Sequence, residues 1–201
     1  MSSGFLSFVK ECLTNMAPEN ISLSRVNYGE LRYLEAKMPT LENQKIQERP
    51  LAYEFYHQAR CRWGNETWPE GKKFVIQAEV NKCYQDIRNL NKCPDFLIHR
   101  KTSKMGANFA VLEFKMTTNP LRSIREDIEK LASFGDILGY KFLIEVLVGN
   151  SRAVKSHCTR ARKHFGLRPD VHPQTVLVLG FDPQQREIVH EESISVSLQS
   201  V

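Results

Sequence analysis

Phe109-Ala110-Val111-Leu112-Glu113-Phe114-Lys115-Met116 is an apolar run interrupted twice, by Glu113 and Lys115. Side chains alternate across a β-strand, so the two charges share one face with Val111 and Phe109. Ala110, Leu112, Phe114 and Met116 take the other face. A strand apolar on both sides is a central strand, covered above and below. Charges inside such a strand are costly to desolvate unless they meet each other, a metal or a polar cleft.

Working outward, Lys92-Cys-Pro-Asp-Phe-Leu-Ile-His99 is a second apolar run that opens on an acid, Asp95. The short polar turn between the two runs predicts an antiparallel hairpin. Phe74 to Val80 alternates from Ile76 onward and reads as a third strand, with Glu79 and Gln77 facing the same way; Tyr84 to Asn91 is a polar connection. Asn119-Pro120 starts a helix, with Asn as N-cap and Pro in the first turn. Leu121, Ile124, Ile128 and Leu131 form its core face, and Gly135 and Gly139 end it. Lys141 to Val148 is β-prone throughout and is expected to be a parallel neighbour reached by that crossover helix. A helix capped by Ser151 runs to about Phe165, and Thr175 to Phe181 is a further strand. Arg186 to Val196 adds an edge hairpin, turned by Asp182-Pro-Gln-Gln.

Upstream, Phe5 to Met16 has helical spacing, and a weaker helix is placed over Tyr28 to Met38. Pro50 opens a helix over Leu51 to Trp63, stopped by Gly64-Asn65. The expected class is therefore α/β: a mixed sheet flanked by helices over residues 50–201, with residues 1–49 as a helical N-terminal extension packed on it.

The 201 residues suffice for one domain with a real core, and 41% apolar with 25% charged content is that of a soluble globular protein. No stretch is long and apolar enough to span a bilayer, and the N-terminus lacks the layout of a signal peptide. Five cysteines without a C-x-x-C pair point to a reduced, cytoplasmic compartment. The net charge of +5 favours a polyanionic partner.

Asp95 opens one hairpin strand and Glu113 lies midway along its mate, so antiparallel pairing can bring them together on one face. Two carboxylates with backbone carbonyls and water make a hard-oxygen cage suited to Mg²⁺ or Mn²⁺. Lys115 would point into the same pocket and offset negative charge on a phosphorane-like transition state. Pro94-Asp95 followed by Glu113-Phe-Lys115 resembles the PD-(D/E)xK motif of the restriction-endonuclease-like nuclease superfamily, and the element order over residues 50–148 is similar to that superfamily's core. The resemblance implies a metal-dependent endonuclease acting on DNA more often than RNA, in restriction, mobile-element defence or repair. It implies Asp95 and Glu113 as metal ligands, Lys115 as the catalytic lysine, and Glu54 on the first core helix as a further acidic residue reaching the metal.

Arg122 and Arg125, on the helix after Lys115, are placed to meet phosphates. Arg152, Lys155 and Arg160, with Arg162, Lys163, His164 and Arg168, form a basic helix that either tracks a phosphate backbone or is a solvated face. No recognition domain is visible, so target choice would fall to the N-terminal helices, a partner chain or a homodimer mate. The rival class is a non-catalytic module that holds nucleic acid or protein on the same fold. His57 after Glu54, the set His157, Cys158 and His164, and the pair Trp63 and Trp68 all read as structural features.

Overall fold

The computed structural model describes residues 3–23, 45–78, 93–100, 107–165 and 173–198. The helix expected over Tyr28 to Met38, Glu79, the connection at Tyr84 to Asn91, the turn at residues 101–106 and Arg168 lie outside them. Helix α1 spans Ser3–Thr14 and a single turn, α2, spans Pro18–Ile21. Strands β1 (Ser22–Leu23) and β2 (Lys45–Ile46) pair as a two-residue antiparallel ribbon. Then follow α3 (Glu48–Arg62), β3 (Phe74–Ala78), β4 (Phe96–Arg100), β5 (Asn108–Met116), α4 (Leu121–Leu138), β6 (Phe142–Val148), α5 (Ser151–Phe165), β7 (Gln174–Asp182) and β8 (Glu187–Val196).

The fold is α/β, built on one six-stranded mixed sheet in the order β3-β4-β5-β6-β7-β8. β5, β6 and β7 are parallel; β3, β4 and β8 are joined antiparallel. The strand order advances in one direction through two crossovers, and crossovers of one hand that advance together put their helices on one face. α4 and α5 accordingly share a face, burying Ile124, Ile128, Leu131, Val154, Cys158 and Ala161 against Leu97, Val111, Leu143, Leu147, Val176 and Val178. The other face is covered by α1 and α3, through Phe5, Phe8, Leu13, Leu51 and Phe55 on Phe96, Leu112, Phe114, Ile144 and Leu179. The α1 side chains thus lie in the main core itself.

Four local expectations change. Phe109 does not share the face of Glu113: the β4–β5 register shifts between Ile98 and His99, and this bulge turns Phe109 onto the α1 face. An extra residue in one strand breaks the alternation locally. There Phe109 meets the rings of Phe5, Phe74, Trp68 and Phe142. Asn119 does not cap α4, which begins at Leu121; its amide is used elsewhere, as described below. The cap of α5 is Asn150, whose Oδ1 accepts the Ala153 N–H at 2.9 Å, and Ser151 is already helical. Gly135 lies inside α4, and Gly139, with φ 67°, ends it. Trp68 is fully buried and Trp63 donates to the Phe74 carbonyl at 3.2 Å, so both tryptophans belong to the core. Among the described residues, no helix is long and apolar enough to cross a membrane.

Candidate active site

Phe96 pairs with Leu112, so one further step sets Asp95 opposite Glu113, both on the face beneath α4. The Phe114 N–H donates to Asp95 Oδ2 at 2.7 Å and fixes that carboxylate beside β5. Glu113 pairs in turn with Glu145 on β6, and Glu145 with Val178 on β7. Three acidic side chains therefore stand in one row across three adjacent strands. Neighbouring strands lie about 4.8 Å apart, and like charges directly opposite repel.

Helix α4 roofs this row and supplies its counter-charge. Lys130 Nζ lies 2.7 Å from Glu113 Oε1 and 3.0 Å from Asp127 Oδ1. Lys115 Nζ lies 2.9 Å from Asp127 Oδ2 and 3.5 Å from Glu48 Oε1. The charges alternate along one chain: Glu48, Lys115, Asp127, Lys130, Glu113. Asn119 Nδ2 donates to Glu48 Oε2 at 3.0 Å, tying the loop after β5 to the first turn of α3.

Burial governs the proton affinities. Desolvation pushes the Glu113 carboxyl up to about 8, with Asp95 and Asp127 adding to it and Lys130 opposing. Asp95 is raised, chiefly by burial, against the pull of the Phe114 N–H and Lys130. Glu145 is fully buried, neither of its oxygens has a hydrogen-bond partner, and burial holds its carboxyl well above the ordinary range. For Lys115, burial works against the charge, but Asp127, Glu48 and Glu145 outweigh it and keep the ammonium protonated. Lys130 is raised in the same way by Glu113 and Asp127.

Of the residues expected at the site, Asp95, Glu113 and Lys115 are brought together on one face. Glu54 is not among them. Its carboxylate accepts from Asn20 Nδ2 at 3.0 Å, Gln58 Nε2 at 2.6 Å and the Ala17 N–H at 3.4 Å, fastening α2 to α3. The glutamate of α3 that reaches the site is Glu48, six residues earlier, which is about 9 Å along a helix and roughly 240° around it. Arg122 is exposed and pairs with Glu126 at 2.8 Å. Arg125 is half-buried, with its Nε lacking a partner. Arg152, Lys155 and Arg160 are exposed along α5.

Four residues of this network were missed from sequence: Glu48, Asp127, Lys130 and Glu145. Two left a signal. Glu145 breaks the run Phe142 to Val148 as Glu113 breaks its own. Asp127 sits at helical spacing between Ile124 and Leu131, on the core stripe of α4.

The donors are all carboxylate oxygens, the chemistry that a hard divalent cation takes. Five carboxylates (Asp95, Glu113, Asp127, Glu145 and Glu48) share two ammonium groups, and the buried Glu145 oxygens have no hydrogen-bond partner. A cation beside Asp95 and Glu113 would relieve the desolvation that raises both. No three of these carboxylates have oxygens within 4.8 Å of one another.

No protein-family model, curated protein or solved structure matches the chain.

Proposed function

We propose that the chain is a divalent-metal-dependent endonuclease of the restriction-endonuclease-like, PD-(D/E)xK type, hydrolysing phosphodiester bonds in nucleic acid, DNA in preference to RNA. One observation carries the reading: Asp95, just before β4, is fastened beside Glu113 by the Phe114 N–H, with Lys115 two residues beyond Glu113 on the same face. Asp95 and Glu113 would hold Mg²⁺ or Mn²⁺, which when bound polarises a phosphoryl oxygen and makes a bound water more acidic. Lys115, kept protonated by Asp127 and Glu48, acts as a donor: it orients the attacking water and stabilises charge on the phosphoryl oxygens. Water adds to phosphorus in line and gives a proton to solvent, and as the bond to the leaving oxygen breaks that oxygen takes a proton from solvent. Arg122 and Arg125 extend positive charge from the first turns of α4 toward the flanking phosphates, and Arg152, Lys155 and Arg160 extend it along α5.

A second reading is favoured by the ion pairs themselves. Lys130 already occupies Glu113, and Lys115 already occupies Asp127, an arrangement that also suits a non-catalytic binding module. The test is cleavage of supercoiled plasmid and single-stranded DNA in Mn²⁺. The nuclease reading expects cutting that falls by roughly 100-fold or more in Lys115→Ala, Glu113→Gln and Asp95→Asn. DNA retention on a gel, without cutting and unchanged by Lys115→Ala, would establish the binding module instead.

A further inference from the structure

We propose that Cys158, His190 and Glu192 form a zinc site that clips α5 to the edge strand β8, in the same register row as Glu145 and separated from it by β7. The Cys158 sulfur, a His190 ring nitrogen and a Glu192 carboxylate oxygen all lie within 4.8 Å of one another. His190 Nε2 and Glu192 Oε2 are already 3.1 Å apart.

The fold builds this set from two elements. His190 and Glu192 are two residues apart on β8 and so share a face. Cys158 lies on the buried stripe of α5, one turn beyond Val154. Gly180, the register partner of His190, lets the helix descend: a Cβ there would come 2.3 Å from Val154 Cγ1 and 3.0 Å from His190 Cβ. The close approach brings a sulfur from the helix down onto a nitrogen and an oxygen from the strand. His157 and His164, its sequence neighbours, turn elsewhere, to the Ala153 carbonyl at 2.9 Å and Glu129 at 3.8 Å.

One sulfur, one imidazole nitrogen and one carboxylate make a borderline-soft set that suits Zn²⁺ and disfavours Mg²⁺ or Ca²⁺. Tetrahedral bonds of about 2.3 Å to sulfur and 2.0 Å to nitrogen and oxygen place ligand atoms roughly 3.3–3.6 Å apart. The His190–Glu192 separation already falls near that range, and the Cys158 sulfur, within 4.8 Å of both, has to close by at most about 1.3 Å. Three protein ligands leave a fourth position for water. The side chains of His190 and Glu192 are 23% and 15% exposed, so the ion has a way in. Arg162 Nη1 holds Glu192 Oε1 at 2.9 Å, which orients the carboxylate and leaves Oε2 toward His190. Such outer partners tune a metal site. The buried Glu145 also lies within electrostatic reach of Cys158. On binding, the S–H bond of Cys158 gives its proton to solvent as the zinc–sulfur bond forms, the Nε2 proton that His190 donates to Glu192 leaves to solvent (or is replaced by one on Nδ1) so that the Nε2 lone pair binds zinc, and Glu192 binds as the carboxylate.

The experiment uses the full chain with Cys61, Cys83 and Cys93 changed to Ser, which removes the thiols outside the set other than the buried Cys12. Co²⁺ is titrated in as a spectroscopic probe and then displaced with Zn²⁺. Expected is one equivalent that develops the thiolate-to-cobalt charge-transfer band, read at that band so that cobalt on oxygen ligands elsewhere does not count, and a rise in Tm with Zn²⁺. The band disappears in Cys158→Ser. Zinc affinity falls roughly 100-fold in His190→Ala, whose half-exposed position on the edge strand keeps the fold intact. Glu113→Gln leaves the charge-transfer band and its midpoint in place, so metal on Cys158 is told apart from metal at the site of the nuclease reading. Absence of the band in the parent, or a band that survives in His190→Ala, overturns the proposal.

Discussion

Glu113 is an acid placed where an acid is least at ease: on a central strand, beside Glu145, under a helix. Its carboxyl is raised to about 8 by burial, above its unfolded value of about 4.5. Between those values the folded state holds the proton more tightly, so stability falls as pH rises from about 5 to 8, and the penalty is complete above that range. Asp95 and Glu145 are raised as well and act with the same sign. The slope for one proton reaches roughly 1.4 kcal/mol per pH unit. Urea denaturation from pH 5 to 8 in the presence of a chelator is expected to show this decline, and Glu113→Gln to flatten it. Removing the ammonium has the opposite effect. Lys130→Met leaves Glu113 and Asp127 buried without their shared cation, and is expected to destabilise the protein by about 3 kcal/mol at pH 8, read from the same denaturation curves. If Lys130→Met were neutral at pH 8, the ion pairs would not be holding the site together.

The elements were legible where apolar periodicity was unbroken. β4, β5, β6, β7, α4 and α5 lie where the alternation and the helical stripes put them, because burial on one or both faces leaves a clear pattern. Local decisions made by tertiary neighbours were not legible. A bulge at Phe109 cannot be seen in a run of apolar residues, since either face would accept the ring. Asn119 has the chemistry of a cap but donates to Glu48, a residue 71 positions away. Glu54 looked like the acid of the first core helix because its place in sequence is right; the geometry of α3 selects Glu48 instead. Close packing between elements carries its own prediction. Gly180→Ala drives a methyl into Val154 and His190, and a loss of roughly 2 kcal/mol with a lower Tm is expected by calorimetry. At Gly139, where φ is 67° and nothing lies within 4 Å of an added Cβ, Ala is expected to cost only about 1 kcal/mol of backbone strain.

At the scale of the molecule, α1 is part of the core and not an accessory. Phe5, Phe8, Val9, Cys12, Leu13 and Met16 are all buried in the same cluster as α3 and the sheet. Each such side chain contributes about 1.5–3 kcal/mol on burial, so together they rival the whole stability of an ordinary domain, about 5–15 kcal/mol. A chain lacking α1 is expected to be unfolded by circular dichroism and calorimetry; a cooperative native-like transition in that chain would contradict this assignment. Both faces of the sheet are packed for stability, and labour is divided only in that the face under α4 also carries the acid row and its two lysines. The most direct check on that division of labour is anomalous diffraction from a crystal soaked in Mn²⁺. The account predicts a manganese peak between Asp95 and Glu113, with Lys130 displaced from Glu113. Full ion soaking with no peak there, and Lys130 still on Glu113, would contradict it.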